Sequence, residues 1–266
     1  MEKAFTQIDR QKVAWQKIGK GRPLLLLHGW GSSSDVMRRL AEQLATVRTC
    51  YLIDFPGFGA SPEPEEGWSV GDYAELTSRF ISEMLPDEEP VDILAHSYGG
   101  RVSIKLLSDD QNPVRERVGK VIFTGAAGLK PKRSLSFYVR KYTAKTLKAP
   151  FLLLPGSLRG KGLDRLRKTS IWKKLGSGEY RQLSGVMRET FVKSVTEYLE
   201  EDVAKIGHEI LLIWGENDTA TPLEQGERMD KLLKKSALVT ISGAGHYTFL
   251  DNPVQFTAIV KSYLTS

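Results

Sequence analysis

Short β-rich segments alternate with amphipathic helical segments along most of this 266-residue chain, and this alternation restricts the fold more than any other feature. Buried strands are predicted at Pro23–Leu27, Thr49–Ile53, Val91–Ala95, Lys120–Thr124, Glu209–Trp214 and Ala237–Ile241. Helices are predicted between and after them, at Val36–Ala45, Val70–Leu85, Tyr98–Leu107, Pro222–Leu233 and Pro253–Tyr263. An antiparallel hairpin is predicted to precede them, at Ala4–Ile8 and Val13–Ile18. The pattern predicts an α/β fold with a mostly parallel central sheet and helices on both faces.

The alternation is interrupted once, after the strand that ends at Thr124. From about residue 130 to residue 205 the pattern is helical without a buried strand, and breaks are expected at Pro150, Pro155, Gly156 and Gly160. We therefore predict an α/β core formed by residues 1–128 and 206–266 and an inserted all-helical cap at residues 129–205. Such an insertion would lie above the carboxyl ends of the strands, where open α/β sheets bind ligands.

The charge of the chain is concentrated in the predicted cap. Residues 129–178 hold 14 basic residues and one acid, Asp164, whereas the whole chain carries a net charge of only +6. This distribution is compatible with an ordinary solvated helical surface or with an anionic partner: an acidic or carrier-bound substrate, or a membrane surface contacted peripherally. Nucleic acid is not expected, because the lysines are not interleaved with aromatic residues on a recognisable nucleic-acid-binding fold.

The most specific motif is a serine between a strand and a helix. The sequence AHSYGG at residues 95–100 directly follows a predicted strand and directly precedes a predicted helix. A serine in such a sharp turn needs small residues two positions away on each side, and Ala95 and Gly99 meet that need. We therefore predict Ser97 as a nucleophile, which requires a base to take its proton and a carboxylate to orient that base.

Only four histidines are available as the base. His28 and His96 precede Ser97, whereas hydrolases with such a turn carry the nucleophile, the acid and the histidine in that order. His208 is expected at the amino edge of the sheet, away from the serine. His246 lies in GAGHY just after the last predicted strand, on a glycine-flanked loop, and is the predicted base.

The acid and the anion-stabilising groups come from two further strand ends. The loop GENDT after Trp214 offers Asp218, with Glu216 as the competing carboxylate. The strand Pro23–Leu27 leads into HGWG at residues 28–31, so the backbone N–H groups of Trp30 and Tyr98 are predicted to form an oxyanion hole.

Taken together, these motifs resemble the α/β-hydrolase superfamily. The HG turn at residues 28–29, DFPGFGAS at residues 54–61, the serine turn, WGEND at residues 214–218 and GH at residues 245–246 all fit that pattern, from about residue 22 to the C-terminus and outside the cap. The resemblance implies nucleophile, acid and base roles for Ser97, Asp218 and His246, and oxyanion-hole amides at Trp30 and Tyr98. It also implies a structural role for Asp54.

No cofactor or metal is predicted. Glycines 29 and 31 follow a strand as in a dinucleotide-binding motif, but Ser34 occupies the third glycine position, and no metal-ligand spacing of His or Cys is present. No apolar run is long enough to cross a bilayer. A single cysteine, Cys50, and an N-terminus without an apolar leader favour a cytoplasmic location.

The sequence therefore predicts a serine hydrolase that cleaves a carboxylic ester, or a thioester, of a small-molecule acyl substrate through an acyl-enzyme. Three alternatives use the same scaffold. A carbon–carbon bond hydrolase is disfavoured because Tyr247 stands where such enzymes often carry tryptophan. An acyltransferase would use the same triad, and a ligand receptor would use none.

Overall fold

The computed structural model describes residues 3–87, 89–132, 135–152, 155–169 and 183–266. The eight strands are β1 Ala4–Ile8, β2 Gln11–Ile18, β3 Pro23–Leu27, β4 Thr49–Ile53, β5 Val91–His96, β6 Val118–Thr124, β7 Ile210–Gly215 and β8 Ser236–Ile241. The α-helices within these ranges are α1 Asp35–Leu44, α2 Val70–Met84, α3 Tyr98–Ser108, α4 Leu135–Leu152, α5 Gly156–Lys168, α6 Gly185–Thr196, α7 Glu200–Lys205, α8 Leu223–Leu232, α9 Thr248–Asp251 and α10 Pro253–Thr265. A short 3₁₀ turn at Pro113–Arg117 precedes β6.

All eight strands form one sheet in the order β1-β2-β4-β3-β5-β6-β7-β8. β1 pairs with β2, and β2 with β4, in antiparallel fashion, while every pairing from β4 to β8 is parallel. The chain runs from β3 to β4 on one side of β3 and then returns to place β5 on its other side. The crevice at the carboxyl ends of β3 and β5 is therefore a topological switch point, the place where such sheets bind ligands.

The central strands are buried on both faces, which explains why they read as continuous apolar runs. In β3, Leu25 and Leu27 point to a core that includes α2, α3 and α8, whereas Leu24 and Leu26 point to a second core under α1 and α10. Cys50 is buried in the second core, as its position in a predicted strand indicates. The predicted α/β fold with helices on both faces is confirmed.

The described residues between β6 and β7 form α4 to α7 and contain no strand. The expected break at Pro155 is present, since Pro155 precedes the first residue of α5. The breaks expected at Pro150 and Gly160 are wrong. Pro150 lies in the last turn of α4, where the helix continues for only two residues, and Gly160 lies inside α5, where glycine lowers helix stability without ending the helix.

The domain division at residues 128/129 and 205/206, and the all-helical cap, stay predictions, because residues 133–134, 153–154 and 170–182 lie outside the described ranges. Among the residues that are described, we find no helix with the length and apolar character needed to cross a membrane.

Candidate active site

Ser97 lies in a sharp turn between β5 and α3. Its backbone has φ 52° and ψ −107°, a strained conformation for a residue with a side chain. The turn packs so closely on β3 that a Cβ at Gly99 would overlap the backbone of Leu27. The Gly99 N–H donates to the His28 carbonyl at 3.0 Å, which joins the turn to the loop after β3. Glycine at position 99 thus allows the backbone to hold the serine at the sheet edge.

The structure brings Ser97, His246 and Asp218 together from the carboxyl ends of β5, β8 and β7. Ser97 Oγ lies 3.0 Å from His246 Nε2, and His246 Nδ1 lies 2.8 Å from Asp218 Oδ2. An ionised carboxylate can only accept, so Nδ1 carries the proton and donates to Asp218. The lone pair of Nε2 is consequently free to accept the Ser97 hydroxyl proton. Ser97 is half-buried.

Asp218 is held in its ionised form by donors from its own loop. Oδ1 accepts from the N–H groups of Ala220 at 2.8 Å and Thr221 at 2.9 Å, and Oδ2 lies 2.8 Å from the Thr221 hydroxyl. Burial opposes ionisation of this carboxyl, but the contacts with His246 and Thr221 outweigh it and hold the pKa of Asp218 below its ordinary value. Asp218 therefore presents a negative charge to the imidazole.

Two glycines leave room for the three side chains. A Cβ at Gly125, which directly follows β6, would lie 3.1 Å from both Asp218 Oδ2 and His246 Nδ1. A Cβ at Gly29 would lie 3.1 Å from the Ser97 Cβ. These distances are shorter than ordinary packing distances, so positions 29 and 125 favour glycine.

The loop after β3 brings Trp30 next to the serine turn. The indole ring of Trp30 meets the Tyr98 ring edge to face at 5.2 Å. Tyr98 is the first residue of α3, so its N–H has no acceptor within the helix. The structure therefore brings the side chains of Trp30 and Tyr98, the two predicted oxyanion-hole residues, into contact beside the serine turn.

His28 stabilises the loop after β3 through two hydrogen bonds. Its Nδ1–H donates to the Gly29 carbonyl at 2.8 Å, and Nε2 accepts from the Phe55 N–H at 3.0 Å. Complete burial lowers the pKa of His28 to about 4, so the ring is neutral at pH 7. His28 is thus a hydrogen-bonding partner within this turn.

Asp54 ties the same loop to the following turn. It accepts from the N–H groups of Ser34 at 2.7 Å and Ala60 at 2.8 Å, and it pairs with Lys3 at 2.8 Å. Burial disfavours the charged form, but the Ala60, Lys3 and Ser34 donors together keep the pKa of Asp54 below its ordinary value. The structural role that the family resemblance implies for Asp54 matches these contacts.

The side chain of His96 packs against the ring of His246. Its ring centroid lies 4.7 Å from that of His246, and its Nδ1–H donates to the Thr124 carbonyl at 3.1 Å. Burial, together with the nearby His246, lowers the pKa of His96 to about 3. A neutral imidazole therefore packs against His246 without adding charge to the site.

Helix α6 covers the serine turn and is fixed to α3 by polar contacts. The Tyr98 hydroxyl lies 3.0 Å from Ser194 Oγ, and Arg101 donates to the carbonyls of Ser194, at 2.7 Å, and Glu197. Phe191, also on α6, meets the Trp30 ring at 5.3 Å. Aromatic rings of Trp30, Tyr98 and Phe191 thus pack between α6 and the serine turn.

The competing residues lie elsewhere. Glu216 accepts from the Gly243 N–H at 3.1 Å and does not contact His246. His208 donates from Nε2 to the Arg115 carbonyl, before the start of β6 and at the opposite edge of the sheet. Within the ranges that the structure describes, no group of three or more His, Cys, Asp or Glu residues is arranged to hold a metal ion.

Sequence reasoning missed Thr221 and Gly125 as parts of the site. A hydroxyl residue three positions after an acid in a loop is a recognisable signal for a local side-chain to backbone turn, and it could have drawn attention to Thr221. Gly125 carried no signal beyond its position at a strand end, because only the folded geometry brings it against Asp218 and His246.

The family model described as alpha/beta hydrolase fold matches residues 22–253. The chain belongs to the α/β-hydrolase family. The match covers most of the chain, including Ser97, Asp218 and His246, and it agrees with the sheet order and the strand-end positions described above.

This α/β hydrolase is similar over nearly its whole length to proteins with several activities. It is 23% identical to the pimeloyl-[acyl-carrier protein] methyl ester esterase of Aliivibrio fischeri, over 94% of this chain and 96% of that protein. An esterase from Exiguobacterium antarcticum has a TM-score of 0.73 at 22% identity and covers 98% of this chain and 99% of its own. A bromoperoxidase from Bacillus anthracis has the same TM-score at 18% identity, with full coverage of both chains. At these identities the structural likeness establishes the fold and leaves the substrate open.

Proposed function

We propose that this α/β hydrolase is a serine esterase in which Ser97 is the nucleophile, His246 the general base and Asp218 the residue that orients and stabilises the imidazole. The observation that carries the proposal is the continuous chain of hydrogen bonds from Ser97 Oγ through His246 to Asp218, at 3.0 and 2.8 Å. A serine hydroxyl is a weak nucleophile unless a base of this kind can remove its proton.

The reaction begins when His246 Nε2 takes the Ser97 proton and Oγ attacks the ester carbonyl carbon. The carbonyl oxygen becomes an oxyanion, and the N–H groups of Trp30 and Tyr98 are proposed to donate to it. The imidazolium then gives its proton to the leaving alcohol, and the acyl group remains on Ser97. His246 next takes a proton from water, the resulting hydroxide attacks the acyl carbon, and Ser97 Oγ leaves as it recovers the proton from His246.

Esters are the first substrate class because esterases are among the relatives that match the chain from end to end. One of these relatives acts on an ester whose acyl group is attached to a carrier protein, so a carrier-bound ester belongs in the same substrate class. A thioester is the second bond type, since the same acyl-enzyme forms from either. Neither reaction requires a cofactor.

The test is a turnover screen with p-nitrophenyl esters of increasing acyl length, thioesters and lactones, using the wild-type and Ser97→Ala proteins. We expect ester turnover in the wild type and its loss, by about 10³-fold or more, in the variant. Turnover that is unchanged in the variant would contradict the proposal. Ligand binding by both proteins without turnover would identify a receptor on this scaffold.

Two other reactions would use the same residues and are separated by their products. An acyltransferase would form little carboxylic acid and, once an alcohol or peroxide acceptor is added, would form the new ester or the peracid instead. A carbon–carbon bond hydrolase would cleave a vinylogous diketone faster than any ester. A screen that includes an acyl acceptor and a vinylogous diketone therefore identifies the reaction as well as the nucleophile.

A further inference from the structure

Helices α4 and α5, the α4–α5 pair, expose large apolar side chains. Tyr142 on α4 is 59% exposed, Leu152 at the end of α4 is 49% exposed and Leu158 in the first turn of α5 is 54% exposed. Side chains of this size gain from leaving water. Three of them on one pair of helices make this pair a candidate for contact with another apolar phase.

The two helices are packed on each other. The Phe151 ring lies against Gly162 so closely that a Cβ at position 162 would overlap it. This contact connects the last turn of α4 with the middle of α5. Leu152 is the last residue of α4, and Leu158 is the third residue of α5.

Exposed cations lie on the same two helices as these apolar side chains. Lys145 on α4 and Arg159 and Arg165 on α5 are exposed, and none of the three forms an ion pair with a carboxylate among the side chains that the structure describes. The sequence around them holds 14 basic residues and one acid over residues 129–178. The remainder of the chain carries a net negative charge. The positive charge is therefore concentrated in the part of the sequence that carries these apolar side chains.

We propose that the α4–α5 pair docks on an anionic lipid bilayer, with Leu152 and Leu158 entering the headgroup region and Lys145, Arg159 and Arg165 facing the lipid phosphates. Basic side chains next to exposed aliphatic side chains are the combination that binds such a surface. A bilayer accepts protruding leucines without a shaped pocket. An acidic protein partner would match the charges equally well but would need a complementary apolar recess for each leucine.

The experiment measures sedimentation of the full-length protein with vesicles of phosphatidylcholine alone and with equimolar phosphatidylcholine and phosphatidylglycerol. We expect binding to the anionic vesicles and a strong decrease at about 1 M salt, where the Debye length falls to about 3 Å. Neutralising all three cations in K145Q/R159Q/R165Q should lower the partition coefficient about 100-fold, since each basic residue near an anionic surface contributes about fivefold. The L152S/L158S variant should also bind weakly.

Matched controls lie on the α/β core. The R10Q/R39Q/K234Q variant removes the same number of exposed charges, and L250S/V254S removes two exposed apolar side chains, since Leu250 and Val254 are 45% and 79% exposed. Both should bind vesicles as the wild type does. Circular dichroism and p-nitrophenyl ester turnover establish that each variant is folded.

Vesicle binding is independent of the proposed hydrolysis, so Ser97→Ala should sediment as the wild type does even if no ester is cleaved. Equal binding by the core and α4–α5 variants would overturn the proposal, as would absence of binding to the anionic vesicles. A third arm offers an acyl carrier protein in place of vesicles. If K145Q/R159Q/R165Q loses binding to the carrier while no variant binds vesicles, the surface serves an acidic protein and the lipid proposal is wrong.

Discussion

The hydroxyl of Thr221 lies 2.8 Å from Asp218 Oδ2, the same carboxylate oxygen that accepts the Nδ1–H of His246. It also lies 2.9 Å from the Gly125 carbonyl and 3.3 Å from His246 Nδ1. One buried hydroxyl thus contacts Asp218, His246 and the residue that follows β6. Its position fixes where Oδ2 stands relative to the imidazole.

The first prediction concerns this hydroxyl. Thr221→Val keeps the side-chain shape and the backbone N–H but removes the O–H, so we expect kcat for ester hydrolysis to fall about tenfold, the loss of one hydrogen bond of about 1.4 kcal/mol. KM should be unchanged because Thr221 is not proposed to touch substrate. Thr221→Ser, which retains the hydroxyl, should restore most of the rate. Equal kcat values for the valine variant and the wild type would refute this positioning role.

The second prediction concerns the space beside the imidazole. Gly125→Ala introduces a Cβ 3.1 Å from Asp218 Oδ2 and His246 Nδ1, and Gly125 has φ +52°. We expect a fall in kcat of about 100-fold, the cost of displacing catalytic groups by about 1 Å. Gly243→Ala is the control, since Gly243 also has a positive φ, +74°, but nothing lies within 4 Å of its added Cβ. A similar loss of activity in both variants would attribute the effect to backbone strain instead.

The third prediction concerns the contact between α3 and α6. The Tyr98 hydroxyl and Ser194 Oγ are both buried and 3.0 Å apart. Ser194→Ala leaves the phenol without this partner, so we expect the free energy of unfolding to fall by about 1 to 3 kcal/mol. Adding Tyr98→Phe to this variant should recover part of the loss. Additive effects in urea unfolding of the two single variants and the double variant would show that the two hydroxyls do not interact.

The fourth prediction concerns stability in acid. The pKa values of the buried His28 and His96 are lowered to about 4 and about 3, below the ordinary value of 6.5 that applies in the unfolded chain. Between about pH 4 and 6.5 the unfolded state binds protons that the folded state does not, so stability is complete above pH 6.5 and is lost as the pH falls. Each histidine should contribute about 1.4 kcal/mol per pH unit in this window.

Urea unfolding at pH 7, 6 and 5 measures this slope, which should be about 1.4 kcal/mol per histidine and pH unit. His96→Asn removes one titrating ring and should make the dependence shallower by that amount. The depressed pKa values of Asp54 and Asp218 act at lower pH, below the ordinary carboxyl value of 3.8, and do not interfere. An unchanged slope in the asparagine variant would contradict the assignment to His96.

The α/β fold was predictable because its strands carry local signals. β3 and β4 occupy the predicted residues without any shift, since Pro23–Leu27 and Thr49–Ile53 are apolar runs bounded by turn residues. The convergence of Ser97, Asp218 and His246 was also predictable, because each follows a strand and parallel strands bring their carboxyl ends to one edge. The packing of Gly125 and Thr221 against these groups depends on distances between loops that no local pattern contains.

The concentration of positive charge in residues 129–178 was visible in the sequence, but the sequence left open whether this charge faces solvent or an anionic partner. Only the exposure of Leu152 and Leu158 distinguishes a lipid-binding surface from an ordinary solvated helix, and exposure is a property of the folded chain. The cytoplasmic location suggested by the single cysteine stays a prediction.

The central claim is that Ser97 is the nucleophile activated by His246. Its most direct test is labelling with a fluorophosphonate, which forms a covalent bond only with an activated serine Oγ, followed by mass spectrometry of the peptide that contains residue 97. The account predicts one phosphonyl adduct on Ser97 in the wild type, none on Ser97→Ala and much slower labelling of His246→Gln. An adduct on another residue, or labelling that is undiminished in Ser97→Ala, would contradict it.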